Sequence, residues 1–136
     1  MRKAILSAAI FSVILLAATA ILLQTGDPES EQETLPVAIE PDVIMPTKVS
    51  RPGCEETDSC YVPSMITVKK GQQVTWSNGD VAFHSVTSGV YGEPSGLFDS
   101  GHLDPQEQFS VAFEEEGSFD YFCTLHPWMK GQVVVG

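Results

Sequence analysis

The 136-residue chain sets 18 acidic side chains against seven basic ones, a formal net charge of −11 at pH 7. Arg2 and Lys3 are two of those seven, so the portion beyond them carries five basic against 18 acidic residues, or −13. That balance excludes nucleic acid as a partner, because a phosphate backbone would be repelled, and it suits steering of a protein with a basic face.

The first element is apolar. After Arg2 and Lys3 an uncharged run extends from Ala4 to Leu23, long enough to span a bilayer as a helix, since about 20 apolar residues suffice. The basic flank favours an inside N-terminus, which places the remainder outside the cytoplasm. Ala18-Thr19-Ala20 has the form of a signal-peptide cleavage site, yet Ile21, Leu22 and Leu23 continue the run past it, as an uncleaved anchor would. Residues 1–23 are therefore read as a signal anchor or signal peptide, with residues 4–23 holding the chain to the cell membrane on its extracytoplasmic side. Residues 24–38 are acidic, contain Pro28 and Pro36, and lack an apolar period to bury, so they read as a flexible linker.

From residue 39 to 136 the pattern is all-β. Short β-prone runs are separated by Gly, Pro, Asn and Asp, with no convincing helix of ten or more residues. Val43 to Val49, interrupted by Pro46, is either an edge strand or a lead-in. Strands are expected at Met65 to Lys69, Gln73 to Ser77, His84 to Thr87, Glu107 to Phe113, Ser118 to Phe122 and Gln132 to Val135. Lys70-Gly71, Asn78-Gly79 and Glu116-Gly117 supply the turns. Phe109, Val111 and Phe113 alternate, as do Phe119 and Tyr121, so two packed sheets can share one core. Trp76, at a strand position, reads as part of that core.

Three cysteines are an odd number for an exported chain. Cys54 and Cys60, in Gly-Cys-Glu-Glu-Thr-Asp-Ser-Cys, are close enough in a turn-rich stretch to form a disulfide, which leaves Cys123 unpaired. Cys123-Thr124-Leu125-His126-Pro127-Trp128-Met129 then places a thiolate, an imidazole and a thioether at intervals of three on one loop between strands. Singly, each would more often be a packed or solvated side chain. Together they form a ligand set, and the thioether narrows the metal to copper, because Met is a poor ligand for magnesium, calcium or zinc. A trigonal His₂Cys site with a weak axial Met needs a second imidazole. His84, beside Phe83 and Val86 at a strand start, fits better than His102, which lies in the turn-like Ser100-Gly101-His102-Leu103-Asp104-Pro105. The expected metal ligands are His84, Cys123, His126 and Met129.

Several motifs carry a resemblance. Val74-Thr75-Trp76-Ser77-Asn78, Phe83-His84-Ser85-Val86, Phe98-Asp99-Ser100-Gly101, Gly117-Ser118-Phe119-Asp120-Tyr121-Phe122-Cys123 and His126-Pro127-Trp128-Met129-Lys130-Gly131 make the stretch from about Cys60 to Gly136 resemble the plastocyanin and amicyanin branch of the cupredoxins. The short Cys-x₂-His-x₂-Met spacing is nearer amicyanin. Cys54, Cys60 and the acidic linker lie outside the common core and resemble the elaborated cupredoxins of ammonia-oxidising archaea. The resemblance implies a Greek-key β-sandwich holding one type 1 copper ion, with His84, Cys123 and His126 as strong ligands and Met129 axial. It further implies an electron carrier, not an enzyme, that exchanges single electrons with redox proteins through His126, with Pro127 as a candidate part of an apolar port and Trp128 as either part of that port or an inward-turned core filler. Backbone N–H groups of Ser85 and Leu125 are candidate donors to the Cys123 sulfur; Pro127 has none to give.

Two other functions are weighed. A copper centre reacting with a small molecule such as nitric oxide needs an open axial position, against which Met129 argues. A copper chaperone or store would use Met-rich or His-rich clusters, and the sequence has neither. Glu114-Glu115-Glu116 is either a docking feature or a solvated turn. No Ser-His-Asp arrangement, phosphate-binding glycine loop or close carboxylate pair points to a hydrolase or kinase.

Overall fold

A computed structural model describes residues 39–136; the expected N-terminal helix and acidic linker lie outside the described residues. Eight strands and one short 3₁₀ helix follow in chain order. These are β1 (Val43–Met45), the 3₁₀ helix (Cys54–Thr57), β2 (Met65–Val68), β3 (Gln73–Asn78), β4 (Thr87–Val90), β5 (Glu93–Asp99), β6 (Gln108–Ala112), β7 (Gly117–Phe122) and β8 (Lys130–Val135). They form a three-stranded sheet in the order β1-β3-β6 and a five-stranded sheet in the order β2-β8-β7-β4-β5. The chain changes sheet at every connection except β4 to β5 and β7 to β8; β1 lies parallel to β3 and β2 parallel to β8, while the other pairs are antiparallel.

The core between the sheets follows the alternation in the sequence. Trp76 on β3 is wholly buried and meets Tyr121 on β7 edge-on at 5.3 Å, with Phe98, Phe109 and Phe113 around it. Edge-to-face contact is the arrangement that ring quadrupoles favour. At Gly131 on β8, opposite Tyr121, an added Cβ would run into the Tyr121 ring, so the close approach of β7 and β8 needs glycine there.

Two expectations are corrected. The strand proposed over His84 to Thr87 is shorter: His84 makes an isolated bridge to Leu103, and β4 starts only at Thr87. The reason is local, because the backbone N–H of Ser85 points at the Cys123 sulfur instead of joining a ladder. Conversely, β5 was not expected, since Pro94 and Gly96 break the β pattern. It is tolerated because β5 is the edge of its sheet, where a missing N–H need not be paired. Val43–Met45 resolves as a true strand, ending just before Pro46.

Candidate metal centre

The Cys-to-Met stretch connects β7 to β8. Cys123 is the first residue after β7, and the loop turns back at once: the Met129 N–H donates to the His126 carbonyl at 2.9 Å, and the Cys123 N–H to the Met129 carbonyl at 3.2 Å. Cys123 and Met129 are both wholly buried, while His126 is half-buried between the exposed Leu125 and Pro127. One face of the loop points inward and the other outward.

The facing wall is the segment from Asn78 to Ser85. It brings the buried His84 in with its Nδ1 3.9 Å from the Cys123 Sγ, while the Nδ1 of His126 lies 3.4 Å from the same sulfur. The donor atoms of His84, Cys123 and His126 all lie within 4.8 Å of one another. Donors about 2.0–2.3 Å from a common centre and 120° apart stand roughly 3.5–3.8 Å from each other, so these separations fit a single ion in a trigonal plane. Two imidazoles, one thiol and a buried thioether on the same loop are a donor set for copper rather than a hard cation. His102 is exposed and stacks near Phe83, away from this cluster.

Hydrogen bonds fix the two walls to each other. The Ser85 N–H donates to the Cys123 Sγ at 3.3 Å, the Thr124 N–H to the Ser85 Oγ at 2.8 Å, and the buried Tyr61 hydroxyl to the Ser85 carbonyl at 2.6 Å. Leu125, the other expected donor, makes no such bond to the sulfur. Asn78, wholly buried, pins its own loop, donating to the carbonyls of Ala82 and Leu103 and accepting from the Asp80 N–H. Behind His84, the Asp80 carboxylate lies 3.1 Å from Nε2 and also accepts the N–H groups of Lys48, Ser50 and Val81.

These contacts set the charge states. Burial pushes the Asp80 carboxyl up, but the Lys48 N–H, the His84 ring and the N–H groups of Val81 and Ser50 outweigh it and bring it down to about 2. Burial holds His84 below the usual histidine range, against the opposing pull of Asp80; burial and the neighbouring His84 do the same to His126. Both rings are thus biased toward the neutral form that has a lone pair to offer a metal.

Cys54 and Cys60 are joined in a disulfide that closes the 3₁₀ turn. The segment from Lys48 to Cys60 also receives Trp128, whose half-buried ring donates its Nε1–H to the Val49 carbonyl at 2.9 Å. Trp128 therefore packs against this segment. The residues that sequence reasoning missed are Asn78, Asp80 and Tyr61. The spacing Asp80-x₃-His84 was a readable signal for a carboxylate behind a ligand imidazole.

A buried thiol, two imidazoles and a thioether at one end of a two-sheet β-sandwich define a small single-metal protein. The family model for copper binding proteins of the plastocyanin/azurin family matches residues 50–136, which include all four expected ligands. The chain belongs to that family, and copper is its cofactor. It is 39% identical to amicyanin from Paracoccus versutus over 77 residues, covering 55% of this chain and 57% of amicyanin, and so spans little more than half of that relative. Plastocyanin from Scenedesmus fuscus is 32% identical over 91 residues, covering 61% of this chain and 93% of the relative. Among solved structures, a purple cupredoxin from Nitrosopumilus maritimus is similar with a TM-score of 0.64 and 33% identity, over 71% of this chain and all of the other.

Proposed function

We propose that this protein is a type 1 copper electron carrier in which His84, Cys123 and His126 are the strong ligands and Met129 the axial one. The observation that carries this reading is the pair of Nδ1 atoms at 3.9 and 3.4 Å from one buried cysteine sulfur. Copper, when bound, supplies the one-electron couple between Cu(I) and Cu(II). The chain's own contribution is rigidity: bonds from Ser85 and Thr124 tie the ligand loop to the His84 wall, and Tyr61 holds that wall through the Ser85 carbonyl. A site held in that way rearranges little when its charge changes, which favours fast transfer in both directions. The Ser85 N–H withdraws electron density from the sulfur and so tunes the potential.

Access is through His126. It is half-buried, flanked by the exposed Leu125 and Pro127, and its ring lies 4.7 Å from that of His84. This apolar rim suits brief docking of a redox protein. Residues 4–23 hold the chain on the extracytoplasmic side, residues 24–38 act as the tether, and residues 39–136 are the copper domain.

Voltammetry of the copper-loaded chain, with nitric oxide added in a second run, tests the reading. A reversible one-electron wave that nitric oxide leaves unchanged is expected. Turnover of nitric oxide would instead assign the centre to small-molecule chemistry, and an irreversible wave would contradict a carrier.

A further inference from the structure

Asp80 stands behind the centre rather than in it, and its surroundings are unusual for a surface-seeking side chain. It is almost wholly buried. Its Oδ1 accepts the N–H groups of Lys48 at 2.9 Å and Val81 at 2.8 Å; its Oδ2 accepts that of Ser50 at 3.2 Å and lies 3.1 Å from the His84 Nε2. An ionised carboxylate is acceptor-only with about four lone-pair positions, so these four partners fill it. Since Asp80 has no proton to give, the ring nitrogen facing it must carry one.

We propose that Asp80 is a positioning residue for the copper site: it holds the proton of His84 on Nε2, which frees Nδ1 toward Cys123, and it sets a fixed negative charge behind that ligand. This rests on the assignment of His84 as a copper ligand. A carboxylate hydrogen-bonded to the far nitrogen of a ligand imidazole fixes the tautomer and raises the ring's basicity. The negative charge stabilises the more positive oxidised centre over the reduced one and so lowers the reduction potential.

The same carboxylate joins the centre to the disulfide-closed segment. Lys48 and Ser50 bind Asp80, and Val49 between them accepts the Trp128 Nε1–H from the ligand loop. Three consecutive residues thus touch both walls of the site, one through His84 and the other through Trp128. The segment from Lys48 to Cys60 works as a strap whose register sets where His84 points.

The test uses the full chain in two states. In the copper-free native protein, nitrogen NMR of His84 should show the proton on Nε2; a proton on Nδ1 would overturn the proposal without any variant. In the copper-loaded Asp80→Asn protein, Cu(II) affinity should fall about 10- to 100-fold, with a smaller loss for Cu(I) and hence a raised potential. An unchanged potential in a folded, copper-loaded variant would also overturn it. If Asp80→Asn does not fold, the native tautomer decides alone. Failure of the native chain to bind copper would refute the ligand assignment instead, a result distinct from a wrong tautomer.

Discussion

The two walls of the copper site are built on different principles. The ligand loop, residues 123–129, carries Cys123, His126 and Met129 within seven consecutive residues, and its turn is closed by its own backbone bonds. The opposite wall contributes one donor, His84, but its orientation depends on Asn78, Asp80, Tyr61 and the strap at Lys48 to Cys60, drawn from two separate stretches of chain, 48–61 and 78–80. The difference teaches that a compact motif supplies donors, whereas distant segments supply geometry. Removing the loop's thiolate should abolish the centre, and variants in the segments that hold His84 in place should retune it.

The largest effect belongs to the loop. Cys123→Ser should remove the thiolate-to-copper absorption altogether, and a persistent intense visible band would break the comparison at its strongest point. Next, replacing Cys54 and Cys60 together by serine should cost about 2 kcal/mol, the chain-entropy value for so short a loop. Denaturant unfolding reads this cost, and the copper spectrum should shift without being lost, because the strap's hydrogen bonds to the site run through Asp80 and Trp128 and not to the donor atoms themselves. Complete loss of the spectrum would show that the strap builds the site rather than adjusting it.

A smaller effect should follow pH in the copper-free protein. His84 and His126 bind protons less readily folded than unfolded. As pH falls through about 6.5, the unfolded chain therefore takes up protons first and folded stability declines. Melting temperatures between pH 8 and 5 should fall toward acid, and a rise would mean that the two rings are not desolvated. The smallest effect is expected at Glu114, Glu115 and Glu116. Exposed between β6 and β7, they are separated from Cys123 by the full length of β7, roughly 20 Å for six residues at about 3.3 Å each. Changing all three to Gln should leave the copper spectrum unaltered and stability within about 0.5 kcal/mol.

What the sequence disclosed follows the same division. The all-β class, Trp76 as core and the loop's run of donor side chains were legible because strand alternation and a contiguous donor set are local signals. The structure brings His84, not His102, beside Cys123 and His126, and its apolar neighbours in the sequence signal that burial. β5 was not legible, since Pro94 and Gly96 look like breakers until the strand is known to lie at an edge. The full setting of Asp80 was not legible, because no local pattern reveals that Lys48 and Ser50, some thirty positions earlier, fold over it.

The central claim is that one copper ion sits among His84, Cys123, His126 and Met129. The most direct test is the visible and paramagnetic-resonance spectrum of the Cu(II) protein beside that of Met129→Leu. An intense thiolate-to-copper band with narrow copper hyperfine splitting in the parent, and an altered spectrum in the variant, is the predicted result. A parent without that band would contradict the copper–thiolate centre, and an identical variant spectrum would contradict the axial role of Met129.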